Sequence, residues 1–235
     1  KELRAQGVVV GSDKKGGLAI LMHAARNYRV WILFFSYAAC FGIEIFIHNI
    51  IAMYYVEHFS FGLKEAGLAA GIFGLLALFA RALGGILSDK VALKKGLDGR
   101  TKVLFGLILG EGLFLMLFSQ MNGPVLAILV MTVFALFTHM ACGATYALVP
   151  FIDREALGGV AGIIGAGGNV GAVAAGFLLK GMLDIQTCLM VLGGLVVIAA
   201  SSVMLIRFSV EHKEKEQRLF EQAILERGSE QNSAA

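Results

Sequence analysis

The sequence predicts an all-α membrane protein, a bundle of six transmembrane helices, and three observations predict it. Charge is scarce: Asp, Glu, Lys and Arg make up 16% of the 235 residues, where a soluble domain carries about 25%. Apolar residues take their place, at 57% of the chain and a mean hydropathy of +0.77. They also gather into runs long enough to cross a bilayer as helix, which takes about 20 residues. Strands with open edges are excluded at that depth, because lipid offers a free backbone group nothing to hydrogen-bond.

The elements follow in order. Residues 1–28 are a polar, glycine-containing linker that reads as an interhelix loop of a longer protein. Six apolar runs follow within residues 29–208, at 30–56, 66–87, 103–120, 125–150, 157–183 and 189–208. Short polar connections separate them, the weakest break lying near Asp184–Thr187. Residues 209–235 form a charged tail. With six spans both ends share one face, and that face collects seventeen of the twenty Lys and Arg residues, against Lys64 and Lys180 on the other. Basic loops stay on the cytoplasmic side, so both ends of the segment are expected there.

The one basic residue left over is Arg81, inside the second span. An arginine near the middle of a membrane helix costs about 2.5–3.5 kcal/mol. One explanation is a fixed positive charge lining a polar cavity and holding an anion, for which a planar, permanently charged fork is suited. The other is a side chain reaching for the cytoplasmic surface, since Asp89 follows eight residues later, about 12 Å along a helix.

The first span is unusually polar, with Glu44, His48 and Asn49. Glu44 and His48 share a helix face and read either as a proton-handling pair facing a cavity or as a mutually satisfied structural pair. Tyr37 and Phe41, also four apart, are packing aromatics or pocket walls. The fifth span carries Gly165, Gly167, Gly168 and Gly171 around Asn169. Such spacing lets helices approach closely in lipid and also exposes backbone to a ligand. In the fourth span His139 reads as a structural hydrogen-bonding residue, and Tyr146 with Pro150 marks a bend or break.

Other chemistries find little support. Cys40, Cys142 and Cys188 are scattered through apolar segments, with neither metal-ligand nor disulfide-framework spacing, and read as small packing residues. The run Gly165–Gly171 imitates a dinucleotide-binding turn but lacks the preceding strand that turn requires. No metal, cofactor or enzymatic constellation is expected.

Two stretches carry a resemblance. The first runs from Gly84 and Gly85 through Ser88 and Asp89 to Lys90, and resumes after an insertion as Gly99-Arg100-Thr101-Lys102. It resembles the cytoplasmic loop motif of the major facilitator superfamily, in which a Gly (here Gly85) and an Asp–basic network (here Asp89 and Arg100) latch the cytoplasmic side. The second, Gly162 to Ala172 around Asn169, is similar to the nitrate signature of that superfamily's nitrate/nitrite porter family. Arg81 matches that family's second substrate arginine. Ser36–Gly42, with Tyr37 and Phe41, matches its aromatic pocket segment, and Glu44 with Asn49 looks like the eukaryotic high-affinity branch.

The resemblance covers the second half of the family's usual twelve helices. It implies the C-terminal half of a proton-coupled secondary transporter of nitrate, or nitrite, working by alternating access in the plasma membrane together with an N-terminal six-helix half. Arg81, Tyr37, Phe41, Gly165, Gly167, Gly168 and Asn169 would then line the substrate site, with Glu44 the candidate for proton coupling. The alternatives are a carrier for another organic anion or a sugar, and a non-transporting accessory or sensor protein of the membrane.

Overall fold

The computed structural model describes residues 16–181, 184–216, 218 and 219. Among the described residues five helices are long and apolar enough to cross a membrane, and each of the six expected runs falls mainly within them. The short helix α1 (Gly17–Ala25) comes first. Helix α2 (Tyr28–Tyr37) passes through a π-helical turn (Ala38–Gly42) into α3 (Ile43–Phe59), and together they make the first span. The segment α4, Leu63–Ser119, comprises two helical arms joined at Gly96. Helices α5 (Pro124–Leu148), α6 (Leu157–Gly181) and α7 (Ile185–Val203) follow, with a 3-10 turn (Val149–Phe151) closing α5.

Helix α4 contains two of the predicted spans, and its backbone leaves helical geometry at Gly96, where φ is +57° and ψ −149°. A side chain rarely tolerates that conformation. The chain turns back there. Arg100 bonds Asp89 at 2.5 Å, although a straight helix would separate residues eleven apart by about 16 Å. The two arms, 63–95 and 97–119, are thus the second and third spans folded as a helical hairpin.

Three expectations need adjusting at the ends. Part of the predicted linker is helical: α1 packs on α6, its Ala24 buried and the Ile20 carbonyl close to Gly159. Its five consecutive apolar residues, Leu18–Met22, are too few to span but enough to cover a neighbouring helix. The last span starts at Ile185 and ends at Val203, earlier than residue 208. It starts there because Asp184 caps it, the carboxylate accepting the Thr187 amide at 2.7 Å, and those bonds hold the Asp184 acid below its usual range. In the tail, residues 210–216 are helical; most of the remainder of the tail, and residues 1–15, lie outside the described residues.

Glycines set the packing, as expected where lipid removes the hydrophobic drive between helices. A Cβ on Gly42 would sit 2.8 Å from the backbone of Gly171 and Ala172, so α6 lies against the π-turn backbone to backbone. Gly112 and Gly193 do the same for the second arm of α4 and α7, at 2.8 Å to the facing carbonyls. Gly84 meets the Met140 backbone and Gly143 meets that of Arg81, bringing the first arm of α4 onto α5.

The outer faces stay apolar and open. Leu75, Leu78 and Phe79 of α4, Phe177 of α6 and Ile198 of α7 are all exposed.

Candidate functional site

Arg81 points into the bundle. Its Nη2 donates to Glu44 Oε1 at 2.6 Å, and the pair joins the middle of α4's first arm to the first turn of α3, midway along the first span. It does not stretch toward Asp89, whose carboxylate is taken by Arg100. Pairing offsets part of the cost of placing each charge in lipid. The guanidinium lies over the Phe41 ring, 5.4 Å from its centroid, in a cation–π contact. The Arg81 side chain remains 41% exposed while Glu44 is 5% exposed. One side of the guanidinium therefore holds the carboxylate and another is open.

Phe41 continues an aromatic wall. Its ring stacks on Tyr37 with centroids 5.0 Å apart and planes 10° from parallel, and Tyr146 meets Tyr37 edge-on at 5.1 Å. The wall begins where the helix widens into the π-turn, a distortion that recurs at functional sites. Gly168 makes room for it: a Cβ there would collide with the Phe41 ring and come within 3.1 Å of Tyr37. Gly167 approaches the Phe34 backbone, and Gly165 leaves space beneath the Tyr146 hydroxyl, 3.3 Å from a would-be Cβ.

Behind Arg81, Glu44 sits among further polar groups. Cys142 donates its thiol to Oε2 at 3.5 Å, and His139 Nδ1 lies 3.3 Å from the same oxygen. His48 Nε2, four residues along α3, is 3.9 Å from Oε1. His139 Nε2 meets the Phe73 carbonyl at 2.9 Å, the structural bond expected of it. Cys142 does more than fill space, because its thiol hydrogen is one of the groups holding the carboxylate.

Comparison with known proteins places the chain in a family. A profile of the Major Facilitator Superfamily matches residues 19–231. The chain belongs to the major facilitator superfamily. Among curated proteins it is 42% identical to the high affinity nitrate transporter 2.5 of Arabidopsis thaliana over 66% of the chain, and 31% of that protein. It is 36% identical to the high affinity nitrate transporter 2.7 of the same plant, over 86% of the chain and 41% of the relative. With the nitrate/nitrite transporter NrtP of Nostoc punctiforme it shares 33% identity over 62% of the chain and 28% of the relative. These relatives bear out the resemblance to the nitrate/nitrite porters read from the sequence. The chain spans between 31% and 41% of the length of the two Arabidopsis relatives.

Within this superfamily member the Gly96 hairpin sets Asp89 against Arg100 Nη1; Ser88 Oγ lies 3.4 Å from that same nitrogen. The close helix contact falls to Gly84, whereas Gly85 has nothing within 4 Å of a would-be Cβ. Arg100 lies over Phe151 at 4.6 Å and Arg154 over the same ring at 5.8 Å. Arg154 then grips Glu216 of the tail helix through both carboxylate oxygens, at 2.9 and 2.5 Å. Lys213 reaches Asp98 at 2.6 Å, so the tail helix is clasped to the Gly96 turn and to the turn after α5.

Asn169 stands apart from the rest of the predicted set. It is exposed, its amide lies 3.5 Å from the Gly165 carbonyl of its own helix, and it borders an apolar groove with Val170, Val173 and Phe177. Asn49 likewise bonds only the Ile45 carbonyl of its own helix.

Sequence reading missed Glu111 and the π-turn. Glu111 is fully buried in the second arm of α4, with both carboxylate oxygens lacking a partner. The signal was available: an ionisable residue inside an apolar run, the same signal that marked Arg81.

Proposed function

We propose that this chain is the substrate-binding C-terminal half of a nitrate transporter, with nitrite a second cargo, working by alternating access against an N-terminal six-helix half. The observation that carries the reading is Arg81: a charge fixed midway through a span, paired on one edge, open on another, and backed by a flat aromatic wall. A small planar anion matches a guanidinium fork through its oxygens and slots along the Phe41 and Tyr37 rings. Gly165, Gly167 and Gly168 keep α6 close enough to complete the wall without filling the slot. Asn169 lies on the far side of that helix, where its exposed amide faces the territory of the partner half.

Because Arg81 already holds Glu44, an incoming anion competes for the guanidinium. Glu44 is then the group that takes a proton as the anion binds, which makes uptake proton-coupled. Gly85, Asp89 and Arg100 form the cytoplasmic latch, with Gly85 left open for the partner half. The plasma membrane is the proposed location. Both ends of the segment face the cytoplasm, and residues 1–28, 29–208 and 209–235 serve as linker, transmembrane half and cytoplasmic tail. The work done is transport rather than catalysis.

The test is nitrate uptake and binding by the complete transporter carrying Arg81→Lys. Lysine keeps the charge and loses the fork, worth one or two charge-assisted hydrogen bonds of about 1.5–3 kcal/mol, so affinity should fall about ten- to a hundredfold. Wild-type affinity in that variant would remove nitrate from this site.

A further inference from the structure

We propose that His139 and Glu44 share a single proton, and that this pair, rather than Glu44 alone, is the proton site of the carrier. The inference rests on the reading of the chain as half of a proton-coupled anion transporter. It follows from hydrogen-bond bookkeeping at one imidazole ring. The Phe73 carbonyl can only accept, so His139 Nε2, 2.9 Å from it, must carry a hydrogen. In the neutral ring Nδ1 is then a bare lone pair. That lone pair is buried, has no hydrogen bond of its own and faces Glu44 Oε2 at 3.3 Å.

Two acceptors face each other in a site where His139 is 0% exposed and Glu44 5%, and low surrounding polarity magnifies their repulsion. One proton resolves it, carried either on Nδ1 opposite a carboxylate or on Oε2 opposite a neutral ring. Both states have the same charge, and at 3.3 Å a small reorientation of either side chain lets the proton pass between them.

The other groups around Glu44 supply the coupling. From α4, Arg81 holds Oε1 at 2.6 Å, and Glu111 lies deeper in the core. From α5, Cys142 bonds Oε2, with Cys40 of the π-turn behind it and Tyr37 on the far side of Arg81. From α3 itself comes His48, 40% exposed and 3.9 Å from Oε1. With Arg81 paired to Glu44, the carboxylate charge is matched and the shared proton is held weakly. When an anion draws the guanidinium away, that charge is unmatched, and the shared proton neutralises it. Anion and proton therefore bind cooperatively, with His48 the one exposed imidazole next to Glu44 on the route from water.

The test separates the bond to Phe73 from the proton. In His139→Gln the amide can still reach the Phe73 carbonyl while nothing replaces Nδ1. The complete transporter is reconstituted in liposomes, and two fluxes are read: nitrate–nitrate exchange without a pH gradient, and net uptake driven by a pH gradient with proton flux followed by an internal dye. His139→Gln should keep exchange at saturating nitrate within about twofold and lose gradient-driven accumulation at least tenfold. Glu44→Gln should lose it equally, and the double variant should lose no more than either single one, because one proton is shared. Wild-type accumulation in His139→Gln, or additive losses in the double variant, would overturn the proposal.

If the wild-type protein exchanges no nitrate, the transport reading itself fails. The dyad is then decided by nitrogen NMR of labelled histidine together with the infrared carboxyl band removed by Glu44→Gln. One proton, seen as an Nδ1–H or as a neutral Glu44 carboxyl, upholds the pair; a bare Nδ1 beside an ionised Glu44 overturns it.

Discussion

Under the proposed function Arg81 has to satisfy two requirements at once: it must be stable in a membrane span and still available to an anion. Glu44 supplies the first by pairing at 2.6 Å, and the 41% of the side chain left exposed leaves room for the second. What fixes the arginine in place is a neighbour without a side chain. A Cβ on Gly143 would collide with the Arg81 carbonyl, so Gly143→Ala should push α4 off α5 and carry the guanidinium with it. Overpacking of this kind costs about 1–3 kcal/mol. The expected outcome is a nitrate affinity lowered about tenfold or more in a variant that keeps Arg81, with a thermal unfolding temperature reduced in the same samples. Wild-type affinity would mean that the backbone contact is not what aims the arginine. Arg81, Glu44 and the Tyr37–Phe41 pair stood out in sequence, since ionisable residues and aromatics in an apolar run are conspicuous. The partner chosen by Arg81 was not legible, because Glu44 is 37 residues away and Asp89 only eight.

The two elements that shape the site are departures from regular helix. The π-turn at Ala38–Gly42 lies between Tyr37 and Glu44, so it sets the angle between the aromatic wall and the acid. The Gly96 turn folds α4 on itself and presses Asp89 onto Arg100. Gly96→Ala would place a side chain at φ +57°, a strain of about 1–3 kcal/mol, although nothing lies within 4 Å to clash with it. The unfolding temperature of purified protein should drop accordingly, with the loss traceable to backbone strain because no contact is crowded. An unchanged unfolding temperature would show that the turn relaxes to a form any residue tolerates. Spans were readable from hydropathy because the bilayer imposes one length on all of them. Neither irregular turn was, since Gly96 is one glycine among the 30 in the chain and the π-turn residues look like ordinary helix.

At the scale of the whole molecule, the bundle joins small-residue contacts inside to broad apolar faces outside, and among the described residues Arg100, Arg154 and Lys213 gather at one end. That end predicts orientation. A cysteine placed at Asn122, in the turn before α5, should react with a membrane-impermeant thiol reagent on intact cells. One placed at Lys94, beside the Gly96 turn, should react only after permeabilisation; the three native cysteines are buried and free. The reverse pattern would invert the assigned topology. The sequence by itself determined that the chain crosses a membrane, which loops are basic, and which side chains are too costly to be idle. Those properties depend on transfer from water to lipid, which each segment undergoes independently of where its neighbours lie. Only the tertiary structure decided that Arg81 holds Glu44, that His139 turns a bare nitrogen toward the same carboxylate, and that Asn169 faces away. Pairings of this kind depend on distances of about 3 Å between helices, and such distances come from glycine contacts and irregular turns that leave no periodic trace in the order of residues.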